Sequence, residues 1–488
     1  MHRSACSLKR SLLSSLGALG LVAAACSAPA ATPPAAAPTT AAAAAPTTAP
    51  AAKPTSAPAA TAPAAAAKPT TAPAAGATTA PAAPAPTTAP AAAAAPTGTP
   101  ITVGVMDDVT GVGAIEGALM RISTELVVQR TNASGGINGH PLKVIYVDPK
   151  GDATQSQQLA TQLAQQDNVD VLAGGIFSPE CLGVQALAAK LQIVYVPLNG
   201  CATDALTSKS CDKYTFRVYP VGRQTDEPVF KYEVQSLGSK WAIIYPDYAL
   251  GQSALATSEA ALQANGAEYV AKIAIPLGEA NVTPYVSKVP TDGSANALYV
   301  TETGSDLARV MQVVQQFGIN QKVSIVATLG KESYAGVYPD ALNGALIRGT
   351  RPSDGLPGNA DDAKYQQDWV DMAKKNADIV GPLGGVDHVT PGNNNGYNAY
   401  MSLTALVLAM RKANFSGKAD TEKLVSAFET LTVPQGPDLP DGNLIMNKDD
   451  HQGRTTYYVL KINGQKEEVL QTFAADSLPT VGDCKIAS

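Results

Sequence analysis

Ile101-Thr-Val-Gly-Val-Met106, a Thr110-Gly111 turn, a helix-like segment, Gly135-Gly-Ile-Asn-Gly139, Pro141 and a second apolar run, Leu142–Val147, follow one another in the stretch 101–148. An apolar run bounded by turn residues suits a strand buried on both faces, and strand, helix, strand in that order makes the βαβ unit of a parallel sheet. Further strands are expected at 169–173, 193–197, 241–245, 267–275, 297–300 and 323–327. Helical stretches fill the gaps. One, 153–166, begins after the acidic Asp152; another, 251–265, ends at Gly266, and a third, 306–316, runs out at Gly318, glycine being suited to the position just past a helix. The alternation predicts an α/β fold of doubly wound parallel sheets with helices on both faces.

From about residue 100 to 488 the chain is too long for one core, since single cores stop growing at roughly 250–300 residues, so two lobes are expected. A formal net charge of −6 and few Lys/Arg clusters in that part give no reason to invoke nucleic acid. Beyond the N-terminus there is no run of about 18 apolar residues, which excludes a helical channel or permease. A small-molecule ligand fits this balance.

At the N-terminus, Arg3, Lys9 and Arg10 precede the apolar run 12–25, too short for a span of about 20 residues but suited to a secretory signal. Ala23-Ala-Ala-Cys26 resembles a bacterial lipobox, so residues 1–26 are expected to be a lipoprotein signal, with Cys26 carrying the lipid; ordinary cleavage with release is the alternative. The protein is then exported, to the outer face of the cell membrane or the periplasm. Residues 27–99 are almost wholly Ala, Pro and Thr, with Lys53 and Lys68 the only charges. Proline interrupts helix, and no large apolar side chains offset ordering entropy, so this segment is expected to be a disordered tether.

Other motifs follow the opening block in order: Val169-Asp-Val-Leu-Ala-Gly-Gly175, Thr215-Phe-Arg217, Tyr248-Ala-Leu-Gly251, the segment 397–409 that begins Tyr-x-Ala, and a hairpin at 454–463. Together they resemble the type I periplasmic binding proteins of the branched-chain amino acid (Leu/Ile/Val) class. The resemblance implies two lobes joined by a hinge of three chain crossings: lobe 1 from 100–220 and 348–433, lobe 2 from 221–347, and 434–488 as the closing segment of lobe 2 with a C-terminal tail. It also implies a monomer that captures a small polar or acidic solute (amino acid, amide or carboxylate) and delivers it to an ABC permease. A receptor subunit that signals on closure has the same fold and is the alternative.

Open α/β sheets bind ligands at the carboxyl ends of their strands. The loops after the third and fourth strands are Gly174-Gly-Ile-Phe-Ser-Pro-Glu180 and Leu198-Asn-Gly-Cys-Ala-Thr203. In the family these loops bind a ligand carboxylate, which puts Ser178 and the turn Gly200, Cys201, Ala202, Thr203 at the site. Ser178 before Pro179 also reads as a helix N-cap. From lobe 2 the resemblance supplies Tyr248 as an aromatic closing over the ligand, and Thr303 at a position the family fills with an aromatic. The family's ammonium-binding glutamate aligns near Leu329, so the ligand need not be a free α-amino acid. Glu302, directly after a strand, is the expected substitute, whereas Asp306 and Glu332 suit solvated helix starts.

Gly111-Val-Gly113-Ala-Ile-Glu-Gly117, with Asp148 ending the next strand, imitates a dinucleotide fingerprint, which leaves an exported NAD-dependent dehydrogenase as a remote alternative. The spacing is one residue too long. No zincin helix motif or nucleophile elbow occurs, and the histidines are scattered, so neither enzyme activity, nor metal, nor cofactor is expected. Cys181, Cys201, Cys211 and Cys484 are an even number in an exported chain, expected as two disulfides. The short separation of Cys201 and Cys211 predicts that pair, leaving Cys181 with Cys484.

Overall fold

The computed structural model describes residues 95–328 and 330–480, with Cys484 and Ile486. Cys26, the signal, most of the tether and Leu329 lie outside the described residues.

Around the opening block forms a parallel sheet in the order β2-β1-β3-β4, from β1 (Ile101–Met106), β2 (Leu142–Val147), β3 (Val171–Gly174) and β4 (Tyr195–Val196). Ile101, Val103 and Val105 are fully buried, as a central strand covered on both faces requires. The connecting helices are α1 (Ala114–Ala133), α2 (Ala153–Gln165) and α3 (Ser178–Leu191). Asp152 caps α2 as its position suggested, accepting from Gln155 N at 2.7 Å.

Next come α4 (Gly222–Leu237), β5 (Lys240–Pro246), α5 (Ala249–Ala264), β6 (Glu268–Ile275), the short α6 (Thr283–Val286), β7 (Ala297–Val300), α7 (Gly304–Gln316), β8 (Ser324–Ala327) and β9 (Leu346–Gly349). These strands are parallel and build a second sheet, which β13 (Tyr457–Asn463) and β14 (Lys466–Phe473) extend antiparallel beyond β9. The helices α8 (Ala360–Lys375), α9 (Asn395–Ala413) and α10 (Thr421–Glu429) return to the first core. There Trp369 Nε1 donates to Ser123 Oγ, which donates to Gly396 O, at 2.8 and 2.7 Å, locking α8, α1 and α9 together.

Core packing shows three passages between the sheets. Tyr219 packs in the first core and Val229 in the second lobe; Ile347 is followed by Tyr365 back in the first; Met446 is followed by Tyr458 in the second. Residues 434–455, expected with the closing segment of lobe 2, divide differently. Leu439, Leu444 and Met446 pack in the first core, and β11 (Leu444–Met446) pairs antiparallel with β10 (Thr432–Val433) and β12 (Gly453–Thr455). The hairpin expected at 454–463 is therefore corrected: β12 stays with the first half, and β13 pairs with β14.

The disulfide pairing is also corrected. Cys181 is bonded to Cys201 and Cys211 to Cys484, with Cα separations of 5.9 and 6.2 Å. The loop after β4 folds back over the start of α3, where Cys201 N donates to Ile176 O at 2.7 Å. That brings Cys201 onto Cys181, while Cys211 meets the C-terminal tail. Spatial approach, not separation along the chain, sets the partners.

Candidate ligand cleft between the two sheets

Carboxyl ends of both sheets face each other across the passages. On the first side, Glu180 turns back from α3 to accept from Phe177 N at 3.0 Å and Ile176 N at 3.3 Å, so Glu180 satisfies the N–H groups at the helix start and Ser178 is the first helical residue. Ser178 Oγ instead accepts from Thr203 N at 3.2 Å. The structure thus brings together the two expected loops, but uses their donors on each other. Gly200 N likewise donates to its neighbour Asn199 Oδ1, at 2.6 Å. Gly200 has φ +59, and a Cβ there would lie 2.2 Å from Ile176 O, so the turn needs glycine.

Arg217 holds this turn from behind. Fully buried, it donates from Nη1 to Cys201 O (2.8 Å) and Thr203 O (2.6 Å), from Nη2 to Thr207 Oγ1 (2.7 Å) and from Nε to Gln452 Oε1 (2.7 Å). The Phe-Arg motif therefore positions the site from the first passage. At the second, Asn394 Nδ2 donates to Thr328 O (2.5 Å) and Arg348 O (3.0 Å), tying β8 and β9 to the start of α9. Buried Arg348 pairs with Glu233 and lies 4.1 and 4.3 Å from the ring centres of Phe230 and Tyr299.

A cavity of about 160 Å³ lies at these passages, with Gly200 and Ala202 on one wall, Ser253, Thr301 and Thr303 on the other, and Tyr219 and Asn394 between. Of the residues singled out from sequence, Gly200, Ala202 and Thr303 meet there; Ser178, Cys201 and Thr203 support the turn. Tyr248 immediately precedes α5 and sets its ring edge-on to Phe177, 6.3 Å between centres, across the two sides. Burial pushes its hydroxyl above the usual range, with Glu116 and Glu302 adding and a hydrogen bond with Thr303 opposing. Glu302 is buried, its carboxyl pushed up to about 8 by desolvation, further by Asp306, with Arg309 opposing.

Asp306 and Glu332, expected at solvated helix starts, are both buried. Asp306 pairs with Arg309 and accepts from Gly278 N; Glu332 lies against the Gly392 backbone. Sequence reasoning missed Glu116 altogether. It stands in the first turn of α1, where an acid commonly complements the helix dipole, so nothing local separates it from a surface residue. The imitation dinucleotide loop is otherwise occupied: Asp148 Oδ2 accepts from Thr110 Oγ1 at 2.5 Å.

Comparison with known proteins agrees with this architecture. The family model described as periplasmic binding protein matches residues 100–467. Leu/Ile/Val-binding protein homolog 6 of Brucella melitensis is 24% identical over 220 residues, 45% of this chain and 55% of that protein, so the chain spans about half the length of this curated relative. Among solved structures, a solute-binding protein of an ABC transporter from Rhodopseudomonas palustris BisB5, in complex with 3,4-dihydroxybenzoic acid, aligns with TM-score 0.66 at 18% identity, covering 77% of this chain and 97% of that one. The Leu-, Ile-, Val-, Thr- and Ala-binding protein of Brucella ovis, in its closed conformation, aligns with TM-score 0.65 at 18% identity, over 80% and 99%. At such identities these two likenesses establish the fold. The family is one of binding proteins and not of enzymes, which removes the dehydrogenase alternative. With the family model matched across both lobes, this chain belongs to the periplasmic binding protein family.

Proposed function

We propose that this chain is the extracytoplasmic solute-binding protein of an ABC importer, exported, anchored through lipid on Cys26, monomeric, and handing a small polar solute to a membrane permease. The observation that carries this reading is the cavity of about 160 Å³ at the passages, whose walls come from the loops of two different sheets. A site divided between lobes couples occupancy to closure, because a ligand touching both walls stabilises only the closed arrangement. Gly200, Ala202, Thr301 and Thr303 supply the walls, with Tyr248 hydrogen-bonded to Thr303 behind them. Residues 27–99 serve as the tether.

The test is a thermal-shift screen of the protein with amino acids, amides, aromatic acids, short-chain carboxylates and ureas, followed by uptake of the hit in a deletion strain. A ligand at about 100 times Kd should stabilise by roughly 2.7 kcal/mol. A hit whose uptake is lost on deletion supports the reading; a hit whose uptake survives deletion rejects the transport role. Metabolic labelling with palmitate checks the anchor, since label retained after Cys26→Ala would exclude it.

A further inference from the structure

Glu116 leaves the first turn of α1 and crosses to the other lobe. A Cβ built on Gly304 would lie 2.8 Å from Glu116 Oε1, and Gly304, at φ +49, is in the left-handed region. A glycine at the start of α7 thus admits a carboxylate from the opposite side. Glu116 is 4% exposed and its Oε1 has no hydrogen-bond partner among the described residues. Glu302 is 1% exposed, and its Oε1 also lacks a hydrogen-bond partner among them. Glu332 is 2% exposed and acts electrostatically on Glu116, as Asp306 and Asp108 do. Tyr248 stands among Glu116, Glu302 and Thr303, so these acids gather at the aromatic of the cleft.

Among the described residues, Glu116, Glu302 and Glu332 form no ion pair; Arg309, close to Glu302, is engaged by Asp306. Buried without a positive partner, these carboxyls keep their protons, Glu116 and Glu302 up to about 8 and Glu332 up to about 7, and an organic cation in their midst would take the place of those protons. Of the donors expected for an anion, the N–H groups of Gly200 and Thr203 are already engaged within lobe 1, by Asn199 Oδ1 and Ser178 Oγ. No group of three or more His, Cys, Asp or Glu among the described residues is placed to hold a metal ion. An organic cation fits instead: its N–H groups reach orphaned oxygens, and the Tyr248 ring offers a π face.

We propose that the solute of this cleft carries an ammonium or guanidinium group beyond any α-amino group, held between Glu116 of lobe 1 and Glu302 and Glu332 of lobe 2 beside Tyr248. This rests on the cleft being the solute site; the acids stand beside the lining of the cavity of about 160 Å³, next to Thr303, and not in that lining. The cation joins the lobes, since it has acceptors on both. It also replaces the acidic solute expected from sequence by a basic one.

Titration calorimetry on the full chain tests this with matched pairs, L-arginine against L-citrulline and L-lysine against L-norleucine, beside L-leucine and 4-hydroxybenzoate. The expected result is a cationic member bound at least about tenfold more tightly than its neutral partner, with Glu116→Gln reducing that preference about tenfold or more. Glu302→Gln is the second variant, read in the same way should Glu116→Gln not fold. If a neutral or anionic member binds as tightly as the cationic ones, the cation proposal is overturned while the cleft remains a solute site. If neither cations nor neutral or anionic members bind, the proposal falls together with that assignment.

Discussion

Thr203 Oγ1 lies 3.3 Å from Ser253 Oγ, a hydroxyl pair that joins the turn after β4 to α5 across the cleft. Ser253 Oγ also accepts from Asp204 N at 3.3 Å, so one small side chain bridges the two sides twice. Ser253→Ala removes both bonds without touching either core. With about 0.5–1.5 kcal/mol per hydrogen bond, the solute should dissociate several-fold faster at little change in melting temperature, as stopped-flow dissociation would show.

Tyr248→Ala should weaken solute binding by about 1–3 kcal/mol while leaving the fold intact, since its half-buried ring lies at the edge of the first core, against Phe177, and not inside it. Calorimetry with any solute found by screening checks it, and unchanged affinity would reduce Tyr248 to a packing partner of Phe177.

Arg217→Met should lower stability by about 3–5 kcal/mol, because Cys201 O, Thr203 O, Thr207 Oγ1 and Gln452 Oε1 all lose a donor inside the protein. Arg217→Lys should recover only part of that loss, as an ammonium cannot reproduce the planar fork. Urea unfolding midpoints measure both.

The carboxyl of Glu116 is raised from 4.5 to about 8, chiefly by burial and then by Glu332, Asp306 and Asp108. A group that binds its proton more tightly when folded favours the folded state at low pH. Its contribution is fully present below about 4.5 and is lost as pH rises through about 8. The melting temperature of the solute-free protein should therefore fall between these values, and Glu116→Gln should flatten the fall. An identical slope in the variant would show that Glu116 does not titrate in this window.

Non-reducing peptide mapping should recover Cys181 with Cys201 and Cys211 with Cys484. Cys211→Ser with Cys484→Ser should lower stability by about 2–5 kcal/mol, the cost commonly found when a native disulfide is lost.

Strand β1 and strand β7 occupy the residues their apolar runs predicted, because a strand covered on both faces shows itself in its own composition. β9 escaped notice for the converse reason: its four residues, Leu346–Gly349, include Arg348, whose charge interrupts the run and is neutralised by Glu233 from α4. The strands β10 to β12, of two or three residues, are too short for any periodicity. At the site, Gly200, Ala202 and Thr303 were accessible because strand ends and turns locate them. Glu116 and Glu332 were not: what makes them unusual is burial against the other lobe, a property of distant segments brought together.

The bond between Cys211 and Cys484 makes a ring of the chain between them, and the whole second sheet lies within it. Cys484 follows the second sheet in the chain, so the ring closes only after that whole sheet has been synthesised, whereas Cys181 and Cys201 are free to pair earlier. A closed ring cannot be threaded as a single strand through a narrow pore. Any passage through such a pore must therefore precede closure of the ring, with Cys211 kept reduced until Cys484 has crossed.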